Sequence, residues 1–163
     1  MKNNVVIAIF FLFCYCENFT QNLNSEKQLH SNWEFQKKGD KKWYKATVPG
    51  CVHTDLMDNG IIKDPYFRLN ESKAQWVDKE DWVYKSTFIL KGNEYKKQHH
   101  EIKFEGLDTY ASVYLNGSLI LQSNNMHRTY IVDVSQVLNN GENTIKIILE
   151  SPIKKGLELY NAL

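Results

Sequence analysis

Three acidic side chains lie within four positions of one another: Asp78, Glu80 and Asp81. Paired carboxylates can divide acid and base work when their surroundings push their pKa values apart. In a strand, Asp78 and Glu80 would share one face. In a loop they form a solvated charged stretch, and this is the reading adopted here. His99 and His100 are adjacent in a strand-like stretch, so their side chains point to opposite faces and do not share a metal. His53 falls in a short helical turn and reads as a packed, hydrogen-bonded histidine. Cys51 follows Pro49 and Gly50 and reads as a small packed side chain rather than a nucleophile. No Cys/His spacing of the zinc type and no oxygen-rich calcium loop occurs. The expectation is therefore no metal and no cofactor.

A second group of candidates is suited to binding. Asn70 and Glu71 can hydrogen-bond a hydroxyl-rich ligand or a neighbouring domain, or can cap a turn. Trp76 and Trp82 offer aromatic faces that stack on the apolar C–H surface of a sugar ring. Trp82 is in register with the inner face of a strand and is expected in the core. Trp76 precedes that strand in a stretch predicted to be an irregular loop. Asn70, Glu71, Trp76 and Asp78 are thus the candidate site residues of this chain.

The elements around them are mostly short strands. Trp33 to Phe35 alternates, and Lys37 to Lys42 is a charged turn with no strand–loop–helix context for a phosphate site. Trp43 to Val48 alternates again until Pro49-Gly50 breaks it. Val52 to Gly60 predicts one or two helical turns ending on a glycine cap. Trp82, Tyr84, Ser86, Phe88 and Leu90 share a strand face. Glu101 to Gly106 alternates. Ala111, Val113 and Leu115 share a face of the stretch from Thr109. Asn116-Gly117 is a strong two-residue hairpin signal, with Ser118 to Gln122 returning. Asn139 to Asn143 is a turn, and Thr144 to Glu150 a last strand. Many short strands with almost no helix predict an all-β sandwich, immunoglobulin-like or jelly-roll.

The chain has 163 residues, enough for one domain with a real core. Its 20 basic and 19 acidic residues leave a net charge of +1, which points away from nucleic acid. Lys2 and the apolar run Val5 to Phe13 have the form of an export signal, too short for a membrane span of about 20 residues. Cys14 and Cys16 suit a peptidase site, with maturation expected before Glu17. Phe13 and Tyr15 argue against a lipid anchor on either cysteine. Cleavage there leaves Cys51 as the remaining cysteine, so no internal disulfide is expected. Residues 17–30 are polar and read as a linker. After signal removal no membrane attachment is expected. Sequons begin at Asn18, Asn70 and Asn116.

Two elements carry a family resemblance: Val-Pro-Gly-Cys-Val-His-Thr-Asp-Leu from Val48, and Asp-Pro-Tyr-Phe-Arg-Leu-Asn-Glu from Asp64. Together they resemble the amino-terminal domain of β-mannosidases, relatives of β-galactosidase and β-glucuronidase. Phe104 to Gly117 and Gly141 to Ile147 look like later strands of that domain. The resemblance spans roughly residues 31–155.

What the resemblance implies is a jelly-roll, galactose-binding-like sandwich over residues 31–163, truncated and incomplete at its carboxyl end. It implies an accessory domain of an exported glycosidase that releases terminal β-D-mannose from oligosaccharides, with a catalytic TIM barrel in cis. The family's Gly-Trp-Asp-Trp-Gly-Pro motif does not occur here, and no catalytic residue is expected in this chain. The resemblance places the 70–81 stretch at the edge facing the barrel. A standalone secreted carbohydrate-binding module is the alternative. Asn116 is read as a turn residue, so Asn116→Asp is expected to change little.

Overall fold

The computed structural model describes residues 25–162. Eight strands and four helices occur among them: β1 (Glu34–Lys37), β2 (Tyr44–Lys45), α1 (Val52–Asp58), α2 (Asn70–Ala74), β3 (Trp82–Leu90), α3 (Gly92–Tyr95), β4 (Glu101–Phe104), β5 (Tyr110–Leu115), β6 (Ser118–Ser123), β7 (Tyr130–Asp133), β8 (Gly141–Glu150) and α4 (Pro152–Asn161). A 3₁₀ turn, Val77–Lys79, precedes β3. The export signal and most of the linker read from the sequence lie outside the described residues.

The strands form two antiparallel layers. One is a six-stranded sheet in the order β2-β1-β3-β8-β5-β6, the other the pair β4-β7. The long central pair β3–β8 runs in register from Trp82 opposite Leu149 to Leu90 opposite Gly141. The period-2 pattern explains which faces meet. Phe35, Tyr84, Val113, Leu115 and Ile145 of the large sheet pack with Phe104 of β4 and with Leu107 and Val134 beside the small sheet. Ile102, Tyr130 and Val132 pack against the same core, while Glu101, Lys103, Ile131 and Asp133 alternate outward. This is the all-β sandwich read from the sequence.

Local chemistry closes the elements. Asn116 and Gly117 hold φ of 51° and 85°, the left-handed pair that a tight hairpin requires between Leu115 and Ser118. Gly60, at φ 69°, ends α1 by donating its N–H to the Met57 carbonyl.

Several expectations need correction. Trp43 to Val48 contributes a strand only at Tyr44–Lys45. The 70–81 stretch is not an irregular loop: it holds α2 and the 3₁₀ turn. β7 has no counterpart among the strands read from the sequence, because four residues give too little pattern to stand out. α4 was also unread, although Ser151 and Pro152 spell its start: the Ser151 hydroxyl accepts the Lys154 N–H, and Pro152 fills the first turn. Residues 25–30, the end of the expected linker, run beside β3. Lys27 Nζ donates to the Ile89 carbonyl at 3.1 Å, and the Leu29 carbonyl accepts from the Trp33 indole at 2.7 Å.

Candidate functional site

The segment from Asp64 to Asp78 is built by local hydrogen bonds. The Asp64 carboxylate accepts the Tyr66 N–H at 2.9 Å, the turn expected of Asp-Pro. The Asp64 carbonyl accepts the Asn70 side-chain amide at 3.0 Å and the Phe67 N–H. Asn70 therefore holds the start of α2 onto the preceding turn. Tyr66 is 97% exposed, Leu69 78% and Phe67 58%, so the turn pushes a run of large apolar side chains into solvent. Ile61 and Trp76 are exposed as well, at 38% and 37%. The Arg68 guanidinium lies 5.2 Å from the Phe67 ring centre.

Beside this shelf of exposed side chains is a recess of about 230 Å³, lined by Ile61, Ile62, Lys63, Asn70, Lys73, Ala74 and Trp76. One face of Trp76 leans on Trp82, with ring centres 5.9 Å apart and planes at 45°. Trp82 is buried as expected, and its indole N–H donates to the Val77 carbonyl at 3.0 Å. Trp76 is thus a half-packed ring with part of its surface open to the recess.

Of the four candidates, the structure brings Asn70 and Trp76 together. Glu71 is exposed on the first turn of α2, outside the recess lining. Asp78 turns elsewhere: its carboxylate lies 3.8 Å from His53 Nε2, and its carbonyl accepts the Ser151 hydroxyl at 2.5 Å. The shelf residues Tyr66, Phe67 and Leu69 and the recess cation Lys73 were missed from the sequence. The available signal was three large apolar residues within a turn that the Asp-Pro element had already marked.

Glu80 and Asp81 each lie near lysines. Asp81 is partly buried, which alone would raise its pKa. The Ser151 N–H together with Lys154 and Lys38 holds it below the usual range instead. Glu80 lies near Lys37 and Lys154. Asp55 is the sealed case. Burial pushes its pKa up against the Thr47 N–H and the Tyr84 hydroxyl, each donating at 2.8 Å. It is 1% exposed and, through the Tyr84 hydroxyl, ties α1 to β3.

Cys51 is corrected: it is exposed at the start of α1, where its N–H donates to Thr54 Oγ1. His53 is half-buried beside Asp78. His99 lies against Glu101 and His100 against the Glu94 carbonyl, and both precede β4 rather than sitting in a strand as expected. No group of three metal-ligating side chains occurs among the described residues. The sequon amides of Asn70 and Asn116 are both engaged in hydrogen bonds within the domain. Asn18 lies outside the described residues.

The described residues form a two-layer antiparallel β-sandwich with a run of exposed large apolar side chains between α1 and α2. The chain belongs to the glycosyl hydrolase 2 galactose-binding domain-like family, whose profile matches residues 33–163. It is 37% identical to "Beta-mannosidase B" of Emericella nidulans over 146 residues, covering 86% of this chain and 17% of that relative. It is 35% identical to "Beta-mannosidase" of Bos taurus over 125 residues, covering 77% and 14%. Among solved structures, the Beta-D-Mannosidase of Dictyoglomus thermophilum superposes with a TM-score of 0.78 at 45% identity, over 80% of this chain and 16% of that one. The chain therefore spans about a sixth of the length of the relatives it matches.

Proposed function

We propose that this chain is the amino-terminal accessory domain of an exported β-mannosidase that hydrolyses terminal β-D-mannose residues of oligosaccharides. The observation that carries the reading is the 45% identity, at a TM-score of 0.78, to a β-D-mannosidase over 80% of this chain. In the complete enzyme a catalytic domain supplies two carboxylates about 5–5.5 Å apart for a retaining double displacement. This domain's part is to present the 61–76 shelf to that neighbour and to close one side of the sugar pocket. Aliphatic Leu69 and Ile61 share the shelf with Tyr66 and Phe67. Large apolar side chains exposed in this number fit a protein neighbour better than a free sugar.

The test is Trp76→Ala in the complete enzyme. Loss of the ring should lower kcat/KM by about tenfold, roughly the worth of one aromatic contact. Melting of each variant alongside separates this from unfolding, because Trp76 also packs on Trp82. Unchanged kcat/KM would remove the shelf from the sugar pocket. Turnover of an aryl β-mannoside by this chain alone would overturn the accessory reading altogether.

The recess and open aromatic rings favour a second reading, a carbohydrate-binding module that works without catalysis. Calorimetric titration of the chain with a linear β-mannoside oligosaccharide separates the two. Micromolar binding by the chain alone supports the module, and none supports the accessory domain. Export rests on Lys2 and the Val5 to Phe13 run, and is tested by sequencing the amino terminus of matured protein. Glu17 is the expected first residue, and a retained Met1 in the mature protein would sink the idea.

A further inference from the structure

The small sheet carries an arrangement that the sugar chemistry does not use. Glu101 of β4 and Asp133 of β7 are directly opposite across the antiparallel pair. Like charges in that position repel and weaken the ladder. The His99 ring sits against both: Nε2 lies 2.8 Å from Glu101 Oε1, and Nδ1 lies 3.5 Å from Asp133 Oδ2. A carboxylate only accepts hydrogen bonds, and a neutral imidazole has a single N–H. Only the imidazolium, with a proton on each nitrogen, suits both neighbours at once.

The surrounding cations are engaged elsewhere. Lys103 of β4 binds Glu105 at 2.8 Å, and Lys97 donates to the Ser25 hydroxyl. Glu94 of α3 lies 4.0 Å from Lys27, and its carbonyl faces His100 Nε2. His100 adds positive charge near Asp133 when protonated. The Ser135 N–H and hydroxyl hold the other Asp133 oxygen at 2.9 Å and 2.6 Å, which fixes the carboxylate that His99 meets.

We propose that His99 is an imidazolium staple between β4 and β7, so that this layer of the sandwich is held more tightly in mild acid than in mild alkali. Its hydrogen bond to Glu101 raises the His99 pKa, with smaller support from the charges of Asp133 and Glu101. A histidine whose folded pKa is raised contributes stability that is fully present below its unfolded value of about 6.5. That stability is lost as pH rises through the folded value. The lower limit is set by the carboxylates, since Asp133 is itself held below its usual range, first by the Ser135 hydroxyl. The staple therefore works between the titration of Asp133 and that of His99.

The test follows the histidine rings and the backbone amides of the whole chain by NMR. His99 should show two protonated ring nitrogens in mild acid and titrate above the ordinary value of about 6.5. Glu101→Gln should bring that titration down. Exchange protection of the Ile102 and Val132 amides, corrected for the intrinsic pH effect, should fall about two- to fivefold from about pH 5.5 to about pH 8.5. Amides of the β3–β8 pair should hold steady. His99→Gln should show the lower protection at both pH values. A His99 that titrates at or below the ordinary value, or that ignores Glu101→Gln, overturns the proposal. So does β4–β7 protection that stays level with pH.

Discussion

Phe35→Ala should cost about 3–5 kcal/mol of stability, the usual range for a fully buried phenylalanine. Phe35 is 0% exposed, in the centre of β1. Its ring centre lies 5.5 Å from Tyr84, 5.8 Å from Trp82 and 6.0 Å from Tyr44. Removing it empties the middle of an aromatic cluster that joins three strands of the large sheet. A domain of this size has only about 5–15 kcal/mol in total, so the variant should be marginal at body temperature. Urea unfolding followed by tryptophan fluorescence measures the loss. Ile131→Ala is the control: it lies on the outward face of β7, 59% exposed, and should move the midpoint little. A loss below about 1 kcal/mol for Phe35→Ala would mean that the cluster does not organise the core.

Asn116→Asp should destabilise the domain by about 2–4 kcal/mol, contrary to the small effect expected of a turn residue. The positive φ at this position suits Asp as well as Asn, so the turn itself survives. The loss comes from the side-chain amide. It donates to the Val137 carbonyl and to Asn143 Oδ1, both at 2.8 Å, while its oxygen accepts the Thr144 N–H at 2.9 Å. Asn143 is 0% exposed and is held in turn by the Asn139 N–H and by the Asn139 and Gly141 carbonyls. A carboxylate at position 116 would aim an acceptor at two acceptors beside a buried amide. Thermal melting at neutral pH checks this, and a melt superimposable on that of the unsubstituted chain would refute it. Partial recovery in acid is expected, because a protonated carboxyl can donate to one of the two oxygens.

Much of the sandwich was legible because strand signals are local. Alternation at Trp82 to Leu90 and at Ala111, Val113 and Leu115 names the inner faces without reference to any partner. Asn116-Gly117 names its own turn, since the left-handed backbone is available to few residues. The Asp-Pro turn was readable for the same reason, whereas the bond from Asn70 to the Asp64 carbonyl came from the structure. Weak or hybrid signals failed: β7 is too short to show a period, and the 70–81 stretch combines a five-residue helix with a 3₁₀ turn.

The sequence by itself determined the family and the fold class. The fold class follows from residue type and near spacing, and the family from the resemblance carried by the elements at Val48 and Asp64. Only the tertiary structure decided where side chains ended up. It parted Asp78 from Asn70 and Trp76, left Cys51 in solvent, and set Tyr66, Phe67 and Leu69 on an open shelf. It also made Asn116 the anchor of a buried amide network and placed His99 between two carboxylates. These outcomes depend on contacts between residues far apart in the chain, such as Asn116 with Val137 or His99 with Asp133. A side chain's partner across such a distance is set by how the layers pack, and local spacing carries no record of it.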